Sequence, residues 1–265
     1  MYLGIDVGGT KTLMAAFSSE GEILSQHKFA TPENYDEFLS NLEVALKEFG
    51  AYTFTAGCCA IPGKVERSTG VGVSFGNLPW TTVPMLEDLK KLTNLDKFYL
   101  ENDAKLAGLY EYAAMPGHHN LLYITIGTGV GIAVINGGQI NLEVEDLGGA
   151  VFMVEENGQQ KPWDDVSSGR ALAAEYGKKA SEIEDPKIWQ KYVIGLANGL
   201  AKLINIYTPD AIVIGGGVGA HLEKFEQPLK QELVKSGSEV PPIIKAKRPE
   251  EAVIYGCYEY IKQQA

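Results

Sequence analysis

Residues 3 to 17, LGIDVGGTKTLMAAF, place a carboxylate, two glycines, a hydroxyl and an ammonium at one strand-to-strand turn, a combination suited to phosphate. Leu3, Ile5 and Val7 are apolar, and an apolar run resumes from Leu13 to Phe17. Gly8-Gly9-Thr10-Lys11 therefore predicts a hairpin between two buried strands. Glycines lack side chains, so successive N–H groups can turn inward as an anion-binding nest, to which Thr10 and Lys11 add donors. Asp6 would repel a phosphate unless a cation intervened, which makes it a candidate Mg2+ ligand. Taken alone, the stretch also reads as a glycine-rich hairpin capped by Asp6.

Further along, strand KFYLE meets Asn102-Asp103 and then a helix, AKLAGLYEYAA. A carboxylate at the C-terminal end of a strand lies where α/β proteins bind ligands, although Asp103 taken alone reads first as the N-cap of that helix. The segment FGNLPW reads as a loop, and Asn77 within it is either a ligand or a turn former. LYITIGTGVGIAVI repeats the opening pattern, with Gly127 opposite Gly8 and Gly129 opposite Thr10. Two such hairpins imply two related half-molecules, each starting with a β-meander and offering a glycine turn to a polyphosphate. A third glycine junction follows the buried strand AIVIGGGVG. Gly215, Gly216 and Gly217 suit a nucleotide there, without the GxGxxG spacing of a dinucleotide site.

The elements that must carry these groups are largely readable. A third strand, ILSQHKF, follows the first hairpin. A helix then runs from Tyr35 to Phe49, with Asn34 and Glu37 at its start and Gly50 at its stop. Phe54 to Ile61 form a buried strand ended by Pro62-Gly63, and Lys64 to Ser74 a short β excursion before a helix opened by Pro84. After the turn Asn136-Gly137-Gly138 come the acidic stretch EVEDLGG, a strand VFMV and a polar loop ENGQQKPWDD. Pro186 to Tyr207 is the longest helical pattern, and strand IIKAK and a helix over 250–264 close the chain.

Bulk properties narrow the partners. The 265 residues suit one large domain or two modest ones, and a hydrophobic fraction of 45% suits a packed core. Lys and Arg number 23 against 34 Asp and Glu, a net charge of −11 that argues against nucleic acid or an anionic membrane as partner. No apolar run reaches the roughly 18 residues of a membrane span, and Met1 leads straight into a strand, so a cytoplasmic protein is expected. Cys58, Cys59 and Cys257 have no disulfide-framework or CxxC spacing.

In this order the segments resemble the ROK family of sugar kinases, within the actin-like ATPase superfamily, over essentially the whole chain. DVGGTK is similar to the family's first phosphate segment and TIGTGVG to its second. IPG with FGNLPW is similar to its sugar loop, ENDA to its catalytic turn, and IVIGGGV to its adenosine segment. The resemblance implies a two-domain α/β fold of the actin-like (RNase H-like) kind with duplicated β-meander halves. The domains would be residues 1–103 with 251–265, and residues 104–250. It implies Asp103 as the base that takes the sugar proton and Asn77 and Asn102 as sugar ligands. Gly8, Gly9, Thr10, Lys11, Gly127, Thr128 and Gly129 would hold phosphates, with Gly215 to Gly217 on the adenosine side. ATP, Mg2+ and a small sugar follow as ligands, and a homodimer as the assembly.

Two departures stand out. EDLGG replaces the family's ExGH segment, putting Asp146 where a sugar-binding glutamate stands and Gly149 where a histidine stands. No cysteine-rich zinc loop follows, so no zinc is expected, and Asp164 stands where the second sugar glutamate would be. In its compactness the chain resembles polyphosphate glucokinases, which keeps polyphosphate open as donor. A sugar-sensing homologue without turnover is the third expectation.

Overall fold

Leu3, Ile5 and Val7 are fully buried and alternate with Tyr2, Gly4 and Asp6, so the first strand, β1 (Tyr2–Val7), has one wholly apolar face. The computed structural model describes residues 1–235, 237 and 239–264. After β1 come β2 (Lys11–Phe17), β3 (Ile23–Ala30), α1 (Tyr35–Glu48), β4 (Ala56–Ile61), β5 (Val65–Glu66), β6 (Val71–Phe75) and β7 (Leu78–Val83). Then follow α2 (Met85–Thr93), β8 (Phe98–Asn102), α3 (Asp103–Ala113), β9 (Asn120–Ile126), β10 (Val130–Asn136), β11 (Gln139–Ile140), β12 (Met153–Glu156) and β13 (Gln159–Pro162). The chain continues through α4 (Trp163–Ser167), α5 (Gly169–Tyr176), α6 (Pro186–Tyr207), β14 (Ala211–Gly215), α7 (Gly216–Gly219), α8 (Glu226–Lys235), β15 (Ile243–Lys245) and α9 (Ala252–Gln264).

Two units result: residues 1–110 with the segment from 251 onward, and residues 111–250. The division at 110/111 differs from the boundary at 103/104 that the sequence suggests. Leu106 belongs to the same buried cluster as Cys58 and Cys257 of the first unit, so the opening turns of α3 stay with that unit.

Each unit holds a five-stranded sheet, and the two have the same plan. The first runs β3-β2-β1-β4-β8 and the second β11-β10-β9-β14-β15, with a central strand antiparallel to one neighbour and parallel to the next. This is the duplicated meander expected from the two glycine hairpins, with β11 cut to two residues. In the first unit α1 starts where the Asn34 side chain accepts the Glu37 N–H at 2.9 Å, and Phe38 and Leu42 join Leu3, Ile5 and Met14 in one core. α9 contributes Ile254 and Tyr258 to a second cluster with Phe17, whose ring stacks on Tyr258 at 5.5 Å. In the second unit α6 buries Trp189, Tyr192, Val193, Leu196, Leu200 and Leu203 in a core shared with β9, β10 and β14. Each fully buried side chain of this size contributes roughly 1.5–3 kcal/mol, so a few such rows hold a sheet and helix together.

Two segments read as loops are hairpins. FGNLPW is the end of β6, a Gly76-Asn77 turn and the start of β7, with Phe75 paired to Leu78. ENGQQKP is the β12–β13 hairpin, turned by Asn157 and Gly158 at positive φ. The strand AIVIGGGVG stops at Gly215, and the glycines after it form the short α7 instead of leading directly into the longer helix.

Candidate active site

In the first unit, β1 and β2 are joined by the turn Gly8-Gly9-Thr10-Lys11, closed by the Gly8 N–H donating to the Lys11 carbonyl at 2.9 Å. Its shape is held by Thr31, a residue that no motif or period in the sequence singles out. The Thr31 hydroxyl donates to the Gly8 carbonyl at 2.8 Å and lies 2.9 Å from the hydroxyl of the buried Thr12, while its N–H donates to the Thr10 carbonyl at 3.1 Å. Gly9, Thr10 and Lys11 are exposed, leaving the tip of the turn open to a ligand. The tip of the β6–β7 hairpin comes to this turn, because a Cβ at Gly9 would lie 3.8 Å from that of Asn77. Trp80 anchors the hairpin: it is buried, its indole N–H donates to the Glu33 carbonyl at 2.8 Å, and it packs against Phe38 and Phe75.

Asn102 and Asp103 divide the work that the sequence left on one residue. The Asn102 side-chain oxygen accepts the Lys105 N–H at 3.1 Å, the bond of an N-cap, and its NH2 donates to the Gly63 carbonyl at 3.0 Å. Asp103 is the first residue of α3, half-buried, with one carboxylate oxygen accepting the Ala104 N–H at 2.7 Å. Asp103 lies near enough to Asp6 for the two charges to interact. Burial first, and then the charge of Asp103, push Asp6 up to about 7, against an opposing pull from Lys28. Two neighbouring carboxylates are a fitting place for a cation. Mg2+ in nucleotide sites takes one or two carboxylates and completes its shell with phosphates and water, and among the described residues no group of three or more His, Cys, Asp or Glu forms a closed metal site.

In the second unit the turn between β9 and β10 is closed by the Gly127 N–H donating to the Gly129 carbonyl at 2.9 Å. Strand register corrects the expected alignment of the repeats. Val7 pairs with Thr12 across the first turn and Ile126 with Val130 across the second, so the second turn is one residue shorter and Gly129 stands opposite Lys11, not Thr10. Asp164 reaches this turn: its Oδ1 accepts the Val130 N–H at 2.7 Å, and a Cβ at Gly129 would lie 2.9 Å from its Oδ2. Burial raises its carboxyl above the usual range. Trp163, wholly buried with its indole N–H on the Gly195 carbonyl at 3.1 Å, fixes the start of α4 and thus Asp164. Gly169 ties α5 to the same turn by donating to the Gly127 carbonyl at 2.7 Å.

The altered EDLGG segment fits the same packing. A side chain at Gly149 would collide with the Asp164 carboxylate and meet Val130 Cβ at 2.8 Å, so the position resembling the family histidine has no room for one. Asp146 lies just before, in a turn and half-buried. Gly216 sits at φ +77° with a would-be Cβ 2.6 Å from the Ile126 carbonyl oxygen, which locks the β14–α7 junction against the end of β9. Gly217, in contrast, has nothing within 4 Å of its would-be Cβ. The second unit thus gathers Gly127 to Gly129, Asp164, Gly169 and Gly215 to Gly217. The first gathers Asp6, Gly8 to Lys11, Asn77, Asn102 and Asp103.

The sequence profile of the ROK family matches residues 2–264. A glucokinase of Streptomyces coelicolor is 26% identical over 276 residues, covering 87% of this chain and 86% of that protein. Among solved structures, a ROK family glucokinase from Streptomyces griseus in complex with glucose and AMPPNP superposes with a TM-score of 0.81 at 23% identity, covering 99% of both chains. An inorganic polyphosphate/ATP-glucomannokinase from Arthrobacter superposes with a TM-score of 0.76 at 23% identity, covering 100% of this chain and 99% of that one. At these identities the structural likenesses establish the fold, which is that of the actin-like ATPases. Among the described residues no helix is long and apolar enough to cross a membrane.

Proposed function

The chain belongs to the ROK family, and from that premise we propose that it is a hexokinase-type enzyme that moves the terminal phosphoryl group of ATP to a hydroxyl, C6 in the simplest case, of a hexose such as glucose. The observation that carries this reading is the division of labour at the β8–α3 junction. Asn102 caps the helix, so Asp103 can serve as an ionisable base opposite Asp6.

In this reading the sugar hydroxyl loses its proton to the Asp103 carboxylate as its oxygen attacks the terminal phosphorus. The bond from that phosphorus to the bridging oxygen breaks, and ADP leaves. Proton uptake by Asp103 also relieves its repulsion with Asp6. Asp6 is the residue to hold Mg2+, which when bound neutralises charge on the transferring phosphoryl group. The two glycine turns hold phosphate oxygens through backbone N–H groups, with Thr10, Lys11 and Thr128 as further donors, and Gly215 to Gly217 bound the adenosine. Asn77, Asn102, Asp146 and Asp164 are the candidate sugar contacts by family resemblance, with Asn102 and Asp164 also shaping the turns they touch.

ATP is preferred over polyphosphate because the Gly215–Gly217 junction is superfluous for a donor without a base, and a chain of net charge −11 offers a long polyanion little attraction. An assay of sugar phosphate formation across hexoses, aminosugars and N-acetyl sugars, with ATP and with polyphosphate, tests the proposal. Faster turnover with polyphosphate overturns the donor assignment, and sugar binding without any turnover replaces the kinase by a sensor.

A further inference from the structure

We propose that Arg67 and Glu101 are a positioning pair that fixes the Asn102-Asp103 turn in the geometry needed for proton transfer, an inference that rests on Asp103 being the base. Glu101 is the penultimate residue of β8, and its side chain is 1% exposed. Arg67 reaches it from the turn between β5 and β6, 34 residues earlier, and is itself 28% exposed. The guanidinium grips the carboxylate with a fork: Nε donates to Oε2 at 2.8 Å and Nη2 donates to Oε1. The same Oε1 accepts the backbone N–H of Asn102 at 2.7 Å. Asn102 in turn donates to the Gly63 carbonyl, just before β5. Both residues before Asp103 are thus fastened to the segment that goes on, through β6, to the Asn77 hairpin.

Stability alone gives a weak reason for this arrangement. Desolvating a buried ion pair roughly cancels its attraction, and well-packed apolar side chains of similar volume commonly stabilise a fold as well or better. What an apolar pair cannot supply is direction. The fork fixes the carboxylate in a plane, and the carboxylate fixes the Asn102 N–H and with it the backbone that aims the next side chain. A base displaced by about 1 Å can lose on the order of 100-fold in rate, so the pair's worth should appear in turnover more than in folding.

The test compares Arg67→Met combined with Glu101→Gln, Arg67→Lys, and Asp103→Asn. The double variant keeps the volume and an acceptor for the Asn102 N–H while removing both charges and the fork. It should melt within a few degrees of the parent protein, keep the KM for ATP within about twofold, and lose at least about tenfold in kcat. Arg67→Lys keeps a charge but no fork and should lose at least about threefold in kcat. A folded double variant that loses less than tenfold overturns the proposal. Should the double variant fail to fold, Arg67→Lys decides by its threefold criterion. Asp103→Asn separates the two levels of the argument: if it stays active, the base assignment itself falls, whereas an inactive Asp103→Asn beside fully active Arg67 variants removes only the positioning role.

Discussion

The Asn102 side-chain oxygen accepts the Lys105 N–H at 3.1 Å, so α3 is capped by the residue before Asp103. Capping and proton transfer make different demands on a side chain, and here two neighbours meet them separately. Asp103→Asn should fold with near-parent thermal stability, bind sugar and nucleotide, and turn over at least about 100-fold more slowly. Asn102→Ala should lower stability by about 1 kcal/mol through the lost cap. Melting curves and steady-state kinetics on the two variants check both, and an Asp103→Asn protein with most of its activity would remove the proposed base.

Gly216 and Gly217 should respond differently to substitution. Gly216 needs its positive φ and its closeness to Ile126, so Gly216→Ala should destabilise the fold, by about 1 kcal/mol or more. Gly217 has open space beside it, so Gly217→Val should fold normally and raise the KM for ATP several-fold with little change in the KM for sugar. Equal KM values for ATP in the Gly217 variant and its parent would move the adenosine elsewhere.

Asp146 and Asp164 can be told apart by which substrate suffers. Asp146→Ala should raise the KM for sugar alone. Asp164→Ala, which releases the Val130 N–H and loosens the Gly127–Gly129 turn, should raise the KM for ATP as well. Unchanged sugar kinetics in both variants would make them ordinary acidic loop residues.

Asp164 also carries a pH signature. Burial raises its folded pKa above the unfolded value of 3.8, so between those two values the folded chain binds more protons than the unfolded one. Its contribution is therefore greatest below pH 3.8 and is lost as pH rises through the folded value. Asp164→Asn keeps an acceptor for Val130 without titrating, so the variant should gain in melting temperature relative to its parent as pH rises from about 4 to 8. A constant difference across that series would count against the shift.

Metal dependence should be that of an Mg2+–nucleotide enzyme without structural zinc. Cys58, Cys59 and Cys257 are free, buried and confined to the first unit. Exhaustive chelation followed by Mg2+ alone should restore full turnover, while elemental analysis finds no stoichiometric zinc. Zinc that survives dialysis would contradict this.

The sequence by itself determined whatever depends on neighbours along the chain. The alternation in β1, the Asn34 cap of α1, the run from Pro186 to Tyr207 and the two glycine hairpins are local patterns, and each appears where its period and punctuation put it. Elements whose partners decide them were misread. Pro79 made FGNLPW look like a loop, yet an exposed proline is tolerated on an edge strand, and Leu78 and Trp80 on either side of it are buried. The polar ENGQQKP pairs through its backbone in a two-stranded hairpin whose buried side chain, Val154, lies on the facing strand, so none of its own side chains is buried and no apolar alternation marks it. The tertiary structure alone decided that Thr31 braces Gly8, that Asp164 reaches Val130, that the second turn is one residue shorter, and that Arg67 meets Glu101. These contacts join residues that no period relates, because a side chain's type records what it can bond to, whereas strand register and helix packing decide what comes within reach.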